Sequence, residues 1–404
     1  MKRVIFHIDV NNAFLSWTAV KMIKEGKEDI RKIPSIIGGD EKSRHGIVLA
    51  KSPIAKKMGI KTAMSLYEAK KICPNLKIYQ PDFKTYFDLS NKFYEYLKGY
   101  SPTIERFSID ECFIDFTGTN YLYDDYLKLA YKIKDEIKEK YGFTVNVGIG
   151  ENKLCAKMAS DFEKPDKVHT LFNDEIVIKM WPLKVENLFM LGKKTKEKLN
   201  KMKIYTIKDL AHTDPKKLEK EFKSYGKYLY DASHGIDNEK VGRKEPKNKS
   251  ISTEKTLPYN ETDPKKLKET IYSQIIELGK ELRRDKKYVK TVGVIYKNYM
   301  FQRYSAQATL DEATNNNGEI YKKAIEVFDN SYRNDPIRLI GVKLSNLKEN
   351  KEKQISIFTL DEVEENTDVQ ETIDEINNKL GKDLIEPASL KLIGKTKNKK
   401  SFKE

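Results

Sequence analysis

Stretches of continuous or alternating apolar residues, typical of strands, are followed in this chain by stretches whose apolar residues recur at helical spacing. In the amino-terminal part they predict, in order, the strand RVIFHI, the helix NNAFLSWTAVKMIKEG, the strands IERFSI and CFIDFT, a helix at residues 121–140, the strand FTVNVGIG and the helix NKLCAKMASDF. This order, β-α-β-β-α-β, is typical of a split βαβ, or ferredoxin-like, sheet with helices on one face. The amino-terminal part is therefore predicted to form such a module.

The rest of the chain is predicted to add a second module of the same kind. Residues 30 to about 78 are inserted into the first module and contain a short strand, GIVLA, and a basic helical segment. Residues 165 to about 240 have helical patterns and short loops, and GRKEPKNKS after them is typical of a linker. From SISTEKTL to IRLIGVKLSNL the patterns again predict β-α-β-β-α-β. We therefore expect a multidomain α+β protein.

Three carboxylates mark the first module. Asp9 ends the first strand, whereas Asp110 and Glu111 lie at the bend of a hairpin, where neighbouring side chains can serve one site. The first strand lies beside this hairpin in the split order, so the three carboxylates are predicted to converge. Such a cluster needs protons or cations, and oxygen ligands favour Mg²⁺ or Mn²⁺, which promote phosphoryl transfer in pairs. The alternative, an ordinary polar turn, is disfavoured by the position of Asp9.

Composition narrows the partners and the compartment. The 404 residues include 76 Lys and Arg against 61 Asp and Glu, and the net charge of +15 favours a polyanionic partner. A lysine-rich surface without such a partner is the alternative, since only ten of the basic residues are Arg. Cys73, Cys112 and Cys155 suit neither a disulfide framework nor a zinc site, so we expect a reduced, cytoplasmic protein. No segment approaches membrane-spanning length, so no membrane partner is expected.

Four stretches carry a family resemblance: IDVNNAF, GIVLAKSPIAKKMGIKTAMSLYEAKKICP, FSIDECFIDF and VNVGIGENKLCAKMASDFEKPD. Together they resemble the Y-family, translesion DNA polymerases, which include the bacterial DNA polymerase IV and UmuC-like (impB/mucB/samB) branches. The resemblance runs from residue 1 to about 347. It implies a palm at 1–29 and 79–164, fingers at 30–78, a helix-hairpin-helix thumb at 165–241, a linker at 242–249, a little finger at 250–347 and a tail at 348–404.

The resemblance implies a catalytic site with two Mg²⁺ ions, for which Mn²⁺ could substitute. Asp9, Asp110 and Glu111 would be the catalytic metal ligands, and the backbone carbonyl of Val10 would be a further ligand. Phe14 would be the steric gate that excludes a ribose 2′-hydroxyl; the alternative is a core residue of an amphipathic helix. The positions implied for nucleotide binding are Asn12, Ala13, Phe14, Ser52, Lys56 and Lys164.

The implied phosphate and DNA contacts depart in places from the usual pattern. Pro53 and Lys56 stand where a Tyr and an Arg are commonest, and these lysines could instead form a solvated face. Gly192 would let a DNA phosphate approach the helix-hairpin-helix backbone, although Met190 replaces the usual first Gly of that motif. Basic residues of the second module would track a duplex backbone without sequence choice: Lys249, Arg283, Arg284, Lys287, Lys290, Lys297 and Arg303.

The segment QISIF, residues 354–358, resembles the peptide by which bacterial polymerases bind the sliding clamp, their beta subunit. Gln354 would hydrogen-bond in the clamp groove, and Ile357 and Phe358 would fill its apolar pocket. The alternative is an ordinary terminal strand. The acidic stretch after it, DEVEENTDVQETIDEINNKL, is predicted to be partly helical.

The resemblance implies a monomeric, template-directed DNA polymerase that takes primer–template DNA and deoxynucleoside triphosphates and functions in repair and damage tolerance. We expect low fidelity without proofreading, because the insertion is small and the chain has no room for an exonuclease domain. Two alternatives stay open: a nucleotidyl cyclase, which would need neither a thumb nor a second basic module, and a catalytically silent DNA-binding homologue, which the three carboxylates argue against.

Overall fold

A computed structural model describes residues 3–40, 46–119, 121–242, 248–350, 365–380 and 385. The chain divides after Lys244 into two compact units. The first contains β1 (Ile5–Val10), α1 (Ala13–Lys24), β2 (Ser35–Gly38), β3 (Val48–Lys51), α2 (Pro53–Lys57), α3 (Leu66–Ile72), β4 (Lys77–Tyr79), α4 (Phe83–Lys98), β5 (Ile104–Arg106), β6 (Glu111–Asp115), α5 (Tyr126–Tyr141), β7 (Val145–Gly150), α6 (Lys153–Asp161), β8 (Val168–Leu171), α7 (Lys193–Lys201), α8 (Ile207–Ala211), α9 (Pro215–Phe222) and α10 (Ser224–Ser233). The second contains β9 (Ser250–Glu261), α11 (Pro264–Arg284), β10 (Tyr288–Asn298), β11 (Arg303–Thr314), α12 (Asn317–Ser331), β12 (Ile337–Lys348) and α13 (Glu365–Leu380).

A five-stranded sheet in the order β5-β6-β1-β7-β8, the central sheet, organises the first unit. Strand β1 is antiparallel to both of its neighbours, and β8 is parallel to β7. The alternate residues Phe6, Ile8 and Val10 of β1 point into a core that α1, α4 and α5 complete. The predicted split βαβ order is confirmed, and the sheet has one strand more, β8, than the patterns predicted.

The two helices of the split order, α1 and α5, pack on one face as expected, and the following helix, α6, lies on the opposite face of the central sheet. The sequence VNVGIG of β7 explains this arrangement, because its valines and isoleucine face the large core while Gly148 and Gly150 face α6. A Cβ at Gly148 would lie 2.0 Å from the carbonyl oxygen of Ala156. Only glycine lets this helix approach the sheet so closely.

Three shorter elements also differ from the sequence-based expectation. The inserted segment forms a three-stranded sheet in the order β3-β2-β4, whereas only the strand near β3 was predicted. Residues 168–171, predicted to lie in a helical segment, form β8 of the central sheet. Helix α4 was not predicted, although Tyr86, Leu89, Phe93 and Leu97 are buried at helical spacing.

The second unit has one antiparallel sheet in the order β11-β10-β12-β9, and its β-α-β-β-α-β order is as predicted. Helices α11 and α12 share a single core with this sheet, built around residues such as Ile271, Val294 and Phe328. Helix α13 lies in the stretch that was predicted to be partly helical. Among the helices described here, none combines the length and apolarity needed to cross a membrane.

Candidate active site

Asp9 and Glu111 face each other across the centre of the central sheet. Asp9 is the penultimate residue of β1 and Glu111 is the first residue of β6, and the antiparallel register pairs them directly. Directly opposite residues in such a pair have Cβ atoms about 4.5–5.5 Å apart. The register thus brings together two carboxylates that are separated by a hundred residues of sequence, as the split order predicted.

Helix α6 supplies a cation to this pair. The Lys157 ammonium donates to Glu111 Oε1 at 2.6 Å and lies 3.6 Å from Asp161. From β1, the Nε2 atom of buried His7 lies 3.7 Å from Glu111 Oε2, while its Nδ1 atom is 2.8 Å from the Ser160 hydroxyl. Burial alone would raise the pKa of Glu111, but His7 and Lys157 outweigh that effect and hold it at about 2. Glu111 is therefore ionised at neutral pH.

A second lysine, Lys164, lies beside Asp9, which is buried with 6% exposure. The Lys164 ammonium contacts the Asp9 carboxylate and lies 2.7 Å from Asp161. Burial raises the pKa of Asp9, and the nearby ammonium groups of Lys164 and Lys157 oppose that shift. Each carboxylate of the pair thus has a lysine beside it.

Asp110 occupies the turn that precedes β6. Its Oδ1 atom accepts a 2.6 Å hydrogen bond from the Ser108 hydroxyl, and its carbonyl oxygen accepts one from the Val10 N–H at 3.0 Å. This backbone bond fixes the turn against the end of β1. Val10, Asp110 and Glu111 are thereby held at one end of the sheet.

Within the described residues, no group of three or more His, Cys, Asp or Glu side chains is arranged to hold a metal ion. Lysines instead contact the carboxylates of Asp9 and Glu111. The donor chemistry nevertheless fits a hard divalent cation, because Asp9 and Glu111 are paired in the β1–β6 register and the neighbouring turn adds Asp110.

Phe14 is half-buried in the first turn of α1. Its ring stacks on Tyr86 with centroids 4.8 Å apart and meets Phe83 edge-on at 6.2 Å. Ala13 beside it is buried. Asn12 is exposed and has a left-handed backbone, and its amide donates to the carbonyl of Lys51 in the small sheet. Phe14 is thus both a member of an aromatic cluster and accessible from outside the core.

The two residues predicted on α2 have different surroundings. Lys56 is exposed in the last turn of the helix. Ser52 is fully buried, and its hydroxyl oxygen accepts hydrogen bonds from the N–H groups of Ala55 and Ser35. Ser52 is therefore the cap of α2 in this structure, and its hydroxyl is not available to a triphosphate.

Most of the residues predicted to bind DNA are exposed or half-buried. Gly192 is the exposed residue that precedes α7, and a Cβ added to it would meet nothing within 4 Å. Arg303 forms a two-pronged ion pair with Glu254. Arg283 is the exception, since its side chain is 5% exposed and its Nε donates to Asp374 of α13 at 2.7 Å. Arg283 is therefore an internal residue of the second unit and not a surface contact. The remaining positions, Lys249, Arg284, Lys287, Lys290 and Lys297, are exposed or half-buried.

The predicted clamp-binding residues Gln354, Ile357 and Phe358 lie outside the described residues. Sequence reasoning missed His7, Lys157 and the asparagines Asn11 and Asn146 close to the carboxylates. The alternation of β1 places His7 on the same face as Asp9, and AKMAS contains Lys157. These residues could be assigned to the site only with the knowledge that α6 covers the carboxylate face of the sheet.

A split βαβ sheet with paired carboxylates and adjacent lysines is typical of enzymes that transfer nucleotidyl groups. The profile of the impB/mucB/samB family matches residues 8–161, and the profile of its C-terminal domain matches residues 248–357. The profile of the DNA polymerase-iota thumb domain matches residues 187–237. The chain is 45% identical to DNA polymerase IV of Clostridium acetobutylicum, over 95% of this chain and 97% of that one. It is 35% identical to DNA polymerase IV of Alkaliphilus oremlandii, over 96% and 99% of the two chains.

Solved structures agree with these relatives. A Y-family DNA polymerase chimera of Dbh and Dpo4 matches with a TM-score of 0.74 and 25% identity, over 86% of this chain and 100% of that one. An insertion ternary complex of Dbh DNA polymerase shares the fold, with a TM-score of 0.58 and 24% identity over the same shares. The chain therefore belongs to the impB/mucB/samB family of Y-family polymerases and is a translesion, DNA-directed DNA polymerase. This membership implies a divalent-metal requirement and the binding of DNA and nucleotides, and it does not favour the cyclase or the silent homologue.

Proposed function

We propose that Asp9, the Val10 carbonyl, Asp110 and Glu111 hold two Mg²⁺ ions, and that this site adds deoxynucleotides to a primer end opposite damaged template bases. The observation that carries the proposal is the direct pairing of Asp9 with Glu111 in the β1–β6 register, beside the turn that holds Asp110. Bound there, the ions would activate the primer hydroxyl and neutralise charge that develops on the transferred phosphoryl group.

The lysines around the site suit the binding of a triphosphate. Lys164 lies beside Asp9 with its side chain 36% exposed, so its ammonium can reach a ligand that approaches from solvent. Lys56 is exposed on α2 and offers a second point charge. We assign both residues to the triphosphate, and we withdraw Ser52 because its hydroxyl is buried in the helix cap.

Phe14 is proposed as the steric gate for the sugar. An aromatic ring held by Tyr86 and Phe83 presents a fixed surface, because stacked and edge-on neighbours restrict its rotation. A ribose 2′-hydroxyl against such a surface would be both crowded and without a hydrogen-bond partner. Asn12 and Ala13, which begin the same helix, are proposed to line the nucleotide site.

Each part of the chain is proposed to have a separate role. The central sheet with α1 and α4–α6 would be the palm, the three-stranded sheet with α2 and α3 the fingers, α7–α10 the thumb, and the sheet of the second unit the little finger. The profile matches at 187–237 and 248–357 support the last two assignments. Small fingers would enclose the nascent pair loosely, which admits damaged bases and lowers fidelity.

Contacts to the duplex are proposed for the thumb and the little finger. Exposed Gly192 at the start of α7 leaves backbone N–H groups open to a phosphate. In the little finger we retain Lys249, Arg284, Lys297 and Arg303 and leave out Arg283. The segment QISIF, with Gln354, Ile357 and Phe358, is proposed to bind the sliding clamp, on the strength of its sequence alone.

We further propose a cytoplasmic monomer. The three cysteines are free and buried, which agrees with a reducing compartment, and a chromosomal DNA substrate requires the same location in a bacterium.

Primer extension by an Asp110→Asn variant tests the metal assignment. The change keeps the shape of the side chain and removes one negative charge, so we expect extension to fall by about 100-fold or more. DNA affinity should stay within about twofold, because the proposed duplex contacts lie on other elements. Asp115→Asn is the matched control: it lies at the far end of β6, where the carboxylate accepts a hydrogen bond from the Thr117 N–H, and it should extend normally.

Equal extension rates for Asp110→Asn and the parent would remove Asp110 from the site. Equal losses in Asp110→Asn and Asp115→Asn would mean that the hairpin, and not a metal ligand, had been disturbed. The same assays with Mg²⁺ replaced by EDTA should show no extension by any variant.

A further inference from the structure

Close to the carboxylates, two buried asparagines and a half-buried aspartate form a polar network, which we call the asparagine network (Asn11, Asn146 and Asp166). Asn146 of β7 is fully buried and Asn11, just after β1, is 8% exposed. The Asn11 amide donates to Asn146 Oδ1 at 2.9 Å, and Asn11 Oδ1 accepts the N–H of Asp166 at 2.9 Å. Buried amides with several partners are held in a single orientation.

The network holds the chain on both sides of Lys164. The Asn146 amide donates to the carbonyl oxygens of Ser160 at 3.0 Å and Glu163 at 2.6 Å, and Glu163 directly precedes Lys164. Asp166, two residues after Lys164, has a φ of +63°, a left-handed conformation that is unfavourable for a residue with a side chain. Its N–H is bound by Asn11, so the network stabilises this conformation.

Two lysines of α5 complete the attachment. The Asp166 carboxylate accepts hydrogen bonds from Lys134 at 2.9 Å and from Lys138 at 2.8 Å. Lys134 is 9% exposed along its side chain, and Lys138 is 56% exposed. The turn that carries Lys164 is therefore joined to β1, β7 and α5 at once.

We propose that the asparagine network is a positioning device for Lys164 that sets the affinity for the incoming nucleotide. The proposal rests on the proposed role of Lys164 in binding the triphosphate. Neither asparagine touches the ligand; each acts through the backbone on either side of Lys164. Because the ammonium would contact the triphosphate equally in the ground state and the transition state, its displacement raises KM and leaves kcat nearly unchanged.

Two substitutions of Asn146 test the network. Asn146→Ser removes the amide altogether. Asn146→Asp keeps its size and its acceptor for Asn11, but turns a carboxylate oxygen toward the carbonyls of Ser160 and Glu163. Each loses the hydrogen bonds to the carbonyls of Ser160 and Glu163, so we expect KM for the nucleotide to rise about five- to tenfold. The kcat of Asn146→Ser should change less than about twofold, whereas Asn146→Asp also adds a negative charge opposite Asp9 in the β1–β7 register and is compared by KM alone.

Lys138→Ala is the milder variant, since it removes one of two lysines on Asp166 at an exposed position and should not impair folding. We expect it to raise KM about twofold. The control is Asn298→Ser in the second unit, where another fully buried asparagine donates to Gln302 and Asp335. It should lose thermal stability without a change in nucleotide KM at saturating DNA.

A Lys164→Ala variant, alone and together with Asn146→Ser, separates the role of Lys164 in binding the triphosphate from the positioning role of the asparagine network. Lys164→Ala should raise KM at least as much as Asn146→Ser, and Asn146→Ser in that background should add less than about twofold, since both act on one contact. An unchanged KM in Lys164→Ala would overturn the role of Lys164 itself. A raised KM in Lys164→Ala with parental values in Asn146→Asp and Lys138→Ala would overturn the positioning role alone.

Discussion

At the scale of single residues, Phe14 packs in an aromatic cluster and is also proposed as the sugar gate, and experiment can separate the two roles. Its ring belongs to an aromatic cluster with Trp17, Tyr86 and Phe83, yet it stays half-buried at the start of α1. A core residue needs apolar neighbours around its ring, whereas a sugar gate needs one face of the ring open to the nucleotide. The structure provides both for the same ring.

Phe14→Ala should admit ribonucleotides. Truncating the ring removes the surface that would crowd a 2′-hydroxyl, so we expect the preference for deoxynucleotides to fall by about 100-fold, or nearly 3 kcal/mol. Competing dNTP and rNTP incorporation measures the ratio. Phe93→Leu, which disturbs the same core at a fully buried position, is the control and should lower stability while keeping sugar selectivity. Unchanged selectivity in Phe14→Ala would make Phe14 a core residue only.

At the scale of elements, the close approach of α6 to β7 determines where the site lysines lie. A Cβ at Gly148 would also lie 2.4 Å from the Ser160 N atom, and these helix backbone atoms cannot move independently of α6. Helix α6 carries Lys157 and leads directly to Lys164. The contacts of Lys157 with Glu111 and of Lys164 with Asp9 therefore depend on the glycines of β7 that let α6 approach the sheet.

Gly148→Ala should destabilise the protein by about 2–3 kcal/mol, because overpacking at this contact forces α6 away from the sheet. Chemical denaturation gives the free energy of unfolding, and extension should fall with it. Gly293→Ala is the comparison, since its Cβ would lie 3.3 Å from the Ala306 carbonyl and needs only a small adjustment. Similar losses at the two glycines would contradict the special role of the α6 contact.

The sequence predicts the long elements of the second unit well, although α4 of the first unit, with 16 residues, was missed. Strands β10–β12 and helices α11 and α12 were all predicted, since each of these has 11 residues or more and repeats its burial pattern several times. Strands β2, β4 and β8 were missed, since three or four residues hardly define a period. The equally short β3 and β5 were predicted because each lies in a longer apolar run. The same reasoning placed Asp9 near Glu111 through strand order alone. It could not find Lys157 or His7, because their contacts depend on which face of the sheet α6 covers.

At the scale of the whole molecule, some of the basic residues of the second unit form surface ion pairs with carboxylates. Arg303 is bound by Glu254 at 2.6 Å and 2.9 Å, and Arg284 by Asp285 at 2.9 Å. Such exposed pairs contribute little to stability, about 0–1 kcal/mol, so a phosphate can replace the carboxylate readily. On binding DNA, these arginines can therefore exchange their carboxylate partners for phosphates of the backbone.

Arg303→Ala should weaken DNA binding and reduce the slope of log affinity against log salt by about 0.9, the value for one phosphate contact. Glu254→Gln should strengthen binding, because it releases the guanidinium group. Titration of labelled primer–template at several salt concentrations measures both. Glu326→Gln, which breaks the comparable surface pair with Lys323, is the control for a general change of charge. If it strengthens binding as much as Glu254→Gln does, Arg303 has no specific contact.

The topology of the central sheet also has a consequence for biosynthesis. Strand β1 is made first, yet both of its neighbours, β6 and β7, come from residues 111–115 and 145–150. At the usual rate of translation, β1 leaves the ribosome roughly 5 to 30 seconds before these partners exist. During that interval a largely apolar segment, IFHIDV, has no sheet to join. We therefore expect ribosome-associated chaperones to bind nascent chains of this polymerase until β7 has been synthesised and can pair with β1.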